Sequence, residues 1–584
     1  MAKIIYTSNR DWNETLKEIY AKAGFNISGC HTDGENYFSI CKKLNIDNFN
    51  FYQQNDDFVA CNGTVIYKES FGEDALKLIF KDMYSKSISE IRRDIFGTYA
   101  VVLKLSGKAC IFTDECGNYA MYYYKAGKEY LVSNTYYHIE KCVNEPIDSM
   151  ALMEEISEYC IIDNKSPFRN IARLMDDEVI VVDLINNGIE IEKIPVNVYK
   201  LGSRDFDSVV STIVERIKYY VRMQKLIHQR KILFVTGGLD SKLLLAGDMS
   251  LSCDTILGNW QGSPILMNTK MEDRCIAEII AEELSLELER IDVEGGEREM
   301  LSSDTFNRLG EYAELYGNNS KWIEIFESKK FCFFDFGYYG EIVKAWDQLD
   351  EIYTEFMTIE EYVDFYMGRQ KHTYINVTKE DNAEYKKYIL DKHETLCKKY
   401  GLDMSSLSKE DCMFLYSRYR HHADVKCCNI ANLYGYSVIH YTQKDLYDYI
   451  TQTPYEYKEK GKLNVALTNA LYPKLLDIPY FSHCHYIKYE RDQMEFTDIK
   501  NTSFKEKTKR IVGNLIGEKA KAKIKSILKL RNSEREMVNE YVKKCNDLDM
   551  KKFMPFQIDN ITFGNITDYL SYWSALCMIR SLKD

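Results

Sequence analysis

The sequence predicts an α/β protein with two domains, one over residues 1–200 and one over residues 201–584. Three observations lead to this prediction. The first part is rich in short apolar runs with β-branched and aromatic residues. Strand-like and helix-like segments alternate after residue 200, as in a parallel sheet with crossover helices. From about residue 300 the pattern is mostly helical, so the second domain should end in a largely helical part.

The predicted strands of the first domain are broken by Gly, Asp, Asn or Lys, which are typical turn residues. They include GTYAVVLKL, KACIFTD, YAMYYYK, EYLVSN and EVIVVDL. The segment ALKLIFKDMYSKSISEIRRDI, residues 75–95, has apolar residues at three- and four-residue steps and predicts helix. We therefore expect an α+β domain built on mainly antiparallel sheets.

The second domain opens with a periodic helix from about Phe206, which leads into the apolar strand KILFV. The helix SKLLLAGDM, the strand DTILGNW, the helix EDRCIAEIIAEELS and the strand ELERIDV come next in order. Farther along, KFCFFDFG predicts one more strand within the helical region. This order predicts a parallel sheet whose strands are joined by helices.

Composition excludes several classes of protein. The net charge is 76 − 89 = −13, whereas a general nucleic-acid binder is normally basic. The 17 cysteines form no CxxC pair and no secretory signal is visible, which favours reduced thiols in the cytoplasm. No apolar run approaches the ~20 residues that cross a bilayer, so stable membrane insertion is not expected. The oligomeric state stays open, with a homodimer among the options.

The most informative stretch is KILFVTGGLDSKLLLAG, residues 231–247. Gly237 and Gly238 follow an apolar strand and let the backbone approach a ligand, and their N–H groups can form a nest for an anion. Thr236 and Ser241 add hydroxyl groups. Asp240 would repel a bare phosphate, but it suits a phosphate that arrives with a divalent cation. A plain strand-to-helix turn with a capping residue is the alternative.

The segment TGGLDS, which includes Leu239, resembles the pyrophosphate loop SGGxDS of the ATP pyrophosphatase (PP-loop) superfamily. Its context is similar to that of the asparagine synthetase family. TILGN ends where that family places the nucleotide base, at Leu257 and Gly258. EDRCIAEIIAEEL resembles the family's acidic segment, with Glu272 and Asp273 on the acidic pair. FCFFDFGYYGEIVKAW resembles the next strand, and the resemblance makes Asp240 and Glu341 ligands of Mg²⁺.

The resemblance extends to the first domain. CNGTVIY, residues 61–67, and residues 94–134 look like the glutamine amidotransferase domain of that family, which has the αββα sandwich of Ntn hydrolases. The family's nucleophile is a cysteine that follows the initiator methionine, but here Ala2 and Lys3 follow Met1. Cys30 and Cys61 are internal. The resemblance therefore implies a degenerate domain and a nitrogen source other than glutamine, as in β-lactam synthetases and lasso-peptide cyclases.

These relatives imply an ATP- and Mg²⁺-dependent ligase that adenylates a substrate carboxylate and joins it to an amine. The family's catalytic lysine falls on Lys462, with Lys460 as the fallback, although the arginine that follows in the family is absent. Tyr338, Tyr339 and Glu341 are candidates for the general base. The amine could lie on the same substrate, which would suit a peptide precursor. Free ammonia or a separate amine, and a nucleotide-binding protein without turnover, are the alternatives.

Three other segments carry weaker signals. RHHADVKCC, residues 420–428, has a spacing that fits no common zinc site. HCHY, residues 483–486, is interpreted as a packed or solvated cluster. Residues 504–531 are basic and amphipathic, with ten Lys or Arg against two Glu. A solvated helix face is the simpler interpretation of this segment, and a docking surface for an anionic or peptide partner is the sharper one.

Overall fold

The protein is a mixed α/β structure in which two antiparallel sheets precede a parallel one. The computed structural model describes residues 3–158, 160–186, 188–195, 199–200, 202, 204–261, 270–292, 325–344, 356–369, 379–418, 423–478, 480–482 and 485–487. The basic segment at 504–531, the first two residues of HCHY and both histidines of RHHADVKCC lie outside these residues. Within them, the prediction of a mixed fold with both kinds of sheet is confirmed.

Two six-stranded antiparallel sheets dominate the first half. Its strands are β1 (Ile4–Thr7), β2 (Ile27–Asp33), β3 (Asn36–Cys41), β4 (Phe51–Gln54), β5 (Asp57–Gly63), β6 (Ile66–Tyr67), β7 (Ser70–Phe71), β8 (Ile95–Phe96), β9 (Tyr99–Leu105), β10 (Lys108–Thr113), β11 (Tyr122–Ala126), β12 (Glu129–Ser133), β13 (Ile171–Arg173), β14 (Glu178–Asp183) and β15 (Gly188–Lys193). One sheet has the order β13-β11-β12-β1-β3-β2 and the other β15-β14-β10-β9-β5-β4. Strands β6 to β8 form a small third sheet.

Five described helices accompany these sheets: α1 (Arg10–Lys22), α2 (Glu73–Asp82), α3 (Ile88–Arg93), α4 (Tyr136–Val143) and α5 (Ser149–Glu158). The single helical pattern predicted over residues 75–95 is in fact two helices. A turn separates them because Ser87 starts a new helix: its hydroxyl and backbone exchange hydrogen bonds with Glu90 in a capping box. Periodicity alone missed this break, since apolar spacing continues across it.

A five-stranded parallel sheet organises the second half, in the order β18-β17-β16-β19-β22. The strands of this half are β16 (Lys231–Phe234), β17 (Ile256–Gln261), β18 (Leu288–Asp292), β19 (Phe333–Phe336), β20 (Phe356–Met357), β21 (Leu407–Ser408), β22 (Tyr436–Val438), β23 (Tyr480–Ser482) and β24 (His485–Ile487). Strand β16 is central because the apolar run that forms it can be buried on both faces. The glycine stretch therefore begins at the middle of the sheet.

Helices surround this sheet and make up most of the described chain on its C-terminal side. They are α6 (Phe206–Lys225), α7 (Leu239–Ser250), α8 (Lys270–Leu284), α9 (Ile359–Arg369), α10 (Lys379–Tyr400), α11 (Lys409–Arg418), α12 (Ala423–Tyr434), α13 (Lys444–Thr451), α14 (Tyr455–Lys458) and α15 (Lys462–Leu471). Short 3₁₀ helices occupy Gly340–Ile342, His440–Thr442, Glu459–Gly461 and Pro473–Asp477. No described helix has both the length and the apolar character needed to span a bilayer.

Buried polar contacts join the first half to helices α10 to α12. The carboxylate of Asp176 accepts from the guanidinium of Arg418 and from Lys399, at 2.5 and 2.9 Å. Lys43 donates to the backbone oxygen of Asn432 at 2.9 Å, and Thr64 donates to the Asn432 side chain at 3.0 Å. Removing one partner of a buried ion pair or amide hydrogen bond destabilises the fold. These contacts therefore hold the two halves in one arrangement.

Candidate functional site

The glycine loop, which we define as residues 235–241, lies at the carboxyl end of the central strand β16. Phe234 is in register with Gly258 on β17 and with Phe336 on β19. Open parallel sheets bind ligands outside the carboxyl ends of their strands, where the chain turns to opposite sides. In this sheet β17 and β19 flank β16, so the loop occupies such a position.

Loop backbone groups already act as anion receptors. The N–H of Gly237 donates to a carboxylate oxygen of Asp273, on α8, at 2.7 Å. The N–H of Thr236 donates to the hydroxyl of Ser241 at 3.1 Å, and the N–H of Gly238 donates to the Thr236 hydroxyl at the same distance. A carboxylate on the Gly237 N–H marks the place where a phosphate oxygen could be accepted. The sequence predicts Asp273 only as one member of an acidic pair, without a role in the site.

Asp240 is the acidic group of the loop, and its two carboxylate oxygens differ. One oxygen, Oδ2, pairs with the ammonium of Lys344 at 3.0 Å. The other, Oδ1, is buried without a hydrogen-bond partner among the described residues. Carboxylate oxygens are the ligands that Mg²⁺ prefers. The Asp240 carboxylate, with an unpaired Oδ1 and an Oδ2 that already attracts an ammonium, would therefore suit a divalent cation.

The segment after β19 is pressed against the start of α7. A Cβ at Gly337 would lie 2.7 Å from the Ser241 nitrogen, and one at Gly340 would lie 2.7 Å from Oδ1 of Asp240. Both positions therefore require glycine. Glu341 comes next in the 3₁₀ helix Gly340–Ile342 and is partly exposed. This close packing brings the segment that carries Glu341 to the loop, as the resemblance implies for a second acidic residue.

The structure does not place every candidate residue on a reachable surface. Tyr339 has a left-handed backbone at φ 66° and only 3% of it is exposed, so its ring belongs to the hydrophobic core. Leu257 is fully buried, which leaves its backbone alone available to a ligand. Gly258 is required for strand packing, because a Cβ there would be 2.7 Å from a methyl of Ile232. Leu239 packs on Val465 of α15.

The residue before Lys462, Gly461, packs against the loop, but the Lys462 ammonium lies elsewhere. A Cβ at Gly461 would be 2.6 Å from Leu239. The Lys462 ammonium instead lies 4.8 Å from the ring centre of Phe206 and 5.9 Å from that of Tyr457. The fallback, Lys460, is exposed. The loop acid is contacted by Lys344, which sequence analysis did not select although it lies three residues after Glu341.

A second lysine at the loop also escaped sequence analysis. Lys242 follows Ser241, is fully buried, and has its amine 3.5 Å from the ring centre of Tyr480 and 3.4 Å from the carbonyl oxygen of Ile478. Burial lowers the pKa of Lys242 well below its usual value. The amine thus ties α7 to the segment before β23. A lysine that opens the apolar run LLLAG was the available signal.

Beneath the loop, a buried charge network fixes β16 to β19. Lys231 pairs with Asp335 at 2.7 Å and with Asp248 at 2.8 Å, and His440 lies 2.8 Å from the other Asp335 oxygen. Burial works to raise the pKa of Asp335, but His440 and Lys231 outweigh it and hold that pKa well below its usual range. The network therefore keeps a charged carboxylate inside the sheet and supports the strand ends at the site.

The first half contains the segment that resembles an oxyanion site, at the end of β5. Burial raises the pKa of the Cys61 thiol to about 12, and the opposing charge of Lys43 does not offset this effect. The side-chain oxygen of Asn62 accepts from Asn50 at 3.3 Å. A buried thiol with a raised pKa carries almost no thiolate at neutral pH, so Cys61 is not a nucleophile in this arrangement.

Within the described residues, one cluster away from the loop brings three possible metal ligands together. His31, Asp33 and Asp56 bring ligand atoms within 4.8 Å of one another. However, the ammonium of Lys104 is buried among them and pairs with both carboxylates, so their charge is already balanced. Cys427 of RHHADVKCC is fully buried in the core, and both histidines of that segment lie outside the described residues.

Comparisons with known proteins give little more. No protein-family model matches the chain, and no curated protein matches it. Among solved structures, a glutamine phosphoribosylpyrophosphate amidotransferase from B. subtilis, complexed with ADP and GMP, has a TM-score of 0.24 and 10% identity over 49% of this chain. An allosteric regulatory enzyme of purine biosynthesis has a TM-score of 0.21 and 10% identity over 40% of it. This chain covers 65% and 54% of those two chains.

Proposed function

We propose that the protein is an ATP-dependent carbon–nitrogen ligase of the asparagine synthetase kind, with an Ntn-like domain at 1–200 and a PP-loop domain at 201–584. The observation that carries the proposal is the glycine loop itself. The N–H of Gly237 already donates to a carboxylate, Asp240 already pairs with a lysine, and the loop lies at the end of the central parallel strand. These are the properties that a Mg²⁺-bound triphosphate requires.

The proposed reaction has two steps. A carboxylate oxygen of the substrate attacks the α-phosphorus of ATP, the bond from that phosphorus to the bridging oxygen breaks, and pyrophosphate leaves with the electron pair. An amine then attacks the acyl adenylate, AMP leaves, and the amine loses a proton. Holding both reactants in one site supplies the effective molarity for the second step.

Each part of the loop has a role in the first step. The N–H groups of Gly237 and Gly238 and the hydroxyls of Thr236 and Ser241 would hold the departing pyrophosphate. Asp240 and Glu341 would hold Mg²⁺, which supplies charge neutralisation to the phosphates when it is bound. The buried pair of Lys231 with Asp335 keeps the strands that carry these groups in register.

Glutamine does not supply the amine in this proposal. Cys61, the cysteine beside the segment that resembles an oxyanion site, is a buried and protonated thiol. The first half acts as a scaffold for helices α10 to α12 through its buried polar contacts. The amine therefore comes from the substrate itself, as in a cyclisation, or from a second molecule.

Pyrophosphate release from ATP, measured with a panel of carboxylate substrates and peptides, tests the proposal. We expect Asp240→Ala to reduce release at least ~100-fold, because it removes the loop's cation-attracting group. Asp364→Ala is the matched control and should leave release unchanged, since Asp364 is an exposed acid on α9 that also pairs with a lysine, Lys386. Full release by Asp240→Ala, or formation of ADP instead of AMP, would contradict the proposal. Loss of one water within a single substrate would identify cyclisation.

A further inference from the structure

The lysine that meets the departing pyrophosphate is the subject of this inference, which rests on the proposed function. The resemblance assigns this role to Lys462, yet the ammonium of that residue lies on aromatic rings. We propose that Lys344 is the pyrophosphate-binding lysine of the glycine loop. It would exchange its contact with Asp240 for contacts with phosphate oxygens when Mg²⁺·ATP is bound.

Packing fixes Lys344 relative to the loop. Gly337 and Gly340, seven and four residues before it, touch the start of α7 so closely that neither could carry a Cβ. The short 3₁₀ helix Gly340–Ile342 joins this contact to Lys344, and Ile342 is fully buried. The backbone at Lys344 is therefore held in place, and only the lysine side chain needs to move to reach a ligand in the loop.

The pairing of Lys344 with Asp240 is suited to exchange. Their charged groups are 3.0 Å apart, and the two side chains are 20% and 21% exposed. A partly exposed ion pair of this kind contributes little to stability, so separating it costs little. A divalent cation attracted to Asp240 would compete with the ammonium, because both are held by the same carboxylate. The Lys344 ammonium could then turn from Asp240 toward the anion that accompanies that cation.

The other lysines near the loop are less suitable. Lys242 is fully buried, and its amine is held against the carbonyl oxygen of Ile478 and the ring of Tyr480. Lys462 would have to leave the rings of Phe206 and Tyr457. Lys344, in contrast, already contacts a loop side chain. Its positive charge would neutralise the charge that develops on the leaving pyrophosphate without any proton transfer.

Binding of inorganic pyrophosphate, measured by calorimetry in the presence of Mg²⁺, tests this role without a carboxylate substrate. We expect Lys344→Met to weaken binding about 10- to 100-fold, as for loss of a charge-assisted contact, and Lys344→Arg to restore part of it. Lys218→Met is the matched control, because Lys218 is a partly exposed lysine on α6 that pairs with one carboxylate, that of Glu215. Its binding should equal that of the wild type. Thermal unfolding of each variant separates binding from folding.

The outcomes are distinguishable. Wild-type affinity in Lys344→Met, loss in Lys462→Met alone, or no pyrophosphate binding by the wild type would each overturn the assignment of Lys344. If the wild type binds pyrophosphate through Lys344 but forms none from ATP with any carboxylate, the proposed ligase function fails while the binding role stands.

Discussion

Two regions of the molecule each place glycine beside a polar group at the end of a strand, but their chemistry differs. Asp240 of the glycine loop and Lys344, which pairs with it, are both about one fifth exposed and oppositely charged. At the end of β5, Cys61 and Asn62 are 9% and 2% exposed, and the thiol is protonated. Both segments match the sequence motifs they resemble. Only the glycine loop, however, has charged groups exposed enough for a ligand to reach.

The largest loss of stability should come from Gly63→Ala, at the buried end of β5. The residue has φ +85°, and an added Cβ would collide with the carbonyl oxygen of Thr98 and lie 2.8 Å from the Tyr119 ring. We expect a loss of roughly 2–4 kcal/mol in the free energy of unfolding, measured with urea, from overpacking and backbone strain. Gly188→Ala meets no atom within 4 Å and should change it far less. An unchanged stability for Gly63→Ala would show that this segment is looser than the structure indicates.

Gly340→Ala should harm binding more than folding, which would sharpen the contrast between the two sites. The new methyl group displaces the Asp240 carboxylate, whose position matters for the loop. We expect at least ~10-fold weaker binding of Mg²⁺·pyrophosphate, with a loss of stability of about 1–3 kcal/mol, because the methyl group would lie 2.2 Å from the Cβ of Asp240 and the start of α7 would have to shift. If Gly340→Ala lowered the stability of the fold as much as it weakened pyrophosphate binding, the contrast between the two sites would not hold.

The smallest effect concerns Cys61 and depends on pH. Its pKa is raised to about 12, so at pH 8 we expect no alkylation by iodoacetamide in the folded protein, whereas the exposed Cys30 should react. A raised pKa stabilises the fold below the thiol's ordinary pKa of ~8.5, and this contribution is lost as the pH rises toward 12. Peptide mass spectrometry across about pH 7–10 measures both thiols. Rapid labelling of Cys61 at pH 8 would reopen the question of a nucleophile there.

Much of the fold was readable from the sequence because its signals are local. The apolar run of β16, the helix from Phe206 and the strand at Phe333 follow from periodicity and flanking glycine, and the structure confirms them. The break at Ser87 was missed because it depends on side-chain hydrogen bonds rather than spacing. Capping residues would have been the signal to use.

The site was harder to predict because it depends on where long side chains end. The glycine loop and Asp240 could be selected from their order along the chain. Lys344 and Lys462 could not be ranked from sequence, since a lysine ammonium can lie ~6 Å from its backbone and its partner is decided by tertiary packing. Asp335 and His440, 105 residues apart, meet only in the folded sheet.

The ion pair of Asp176 with Arg418 shows what the first half does for the helices of the second half. Deleting that half would leave Arg418 and Lys399 without the carboxylate that now accepts from them, and Asn432 without the donors that now reach its oxygens. Truncating the first half should therefore destabilise helices α10 to α12, because it would leave buried cations and amide oxygens of the second half without partners.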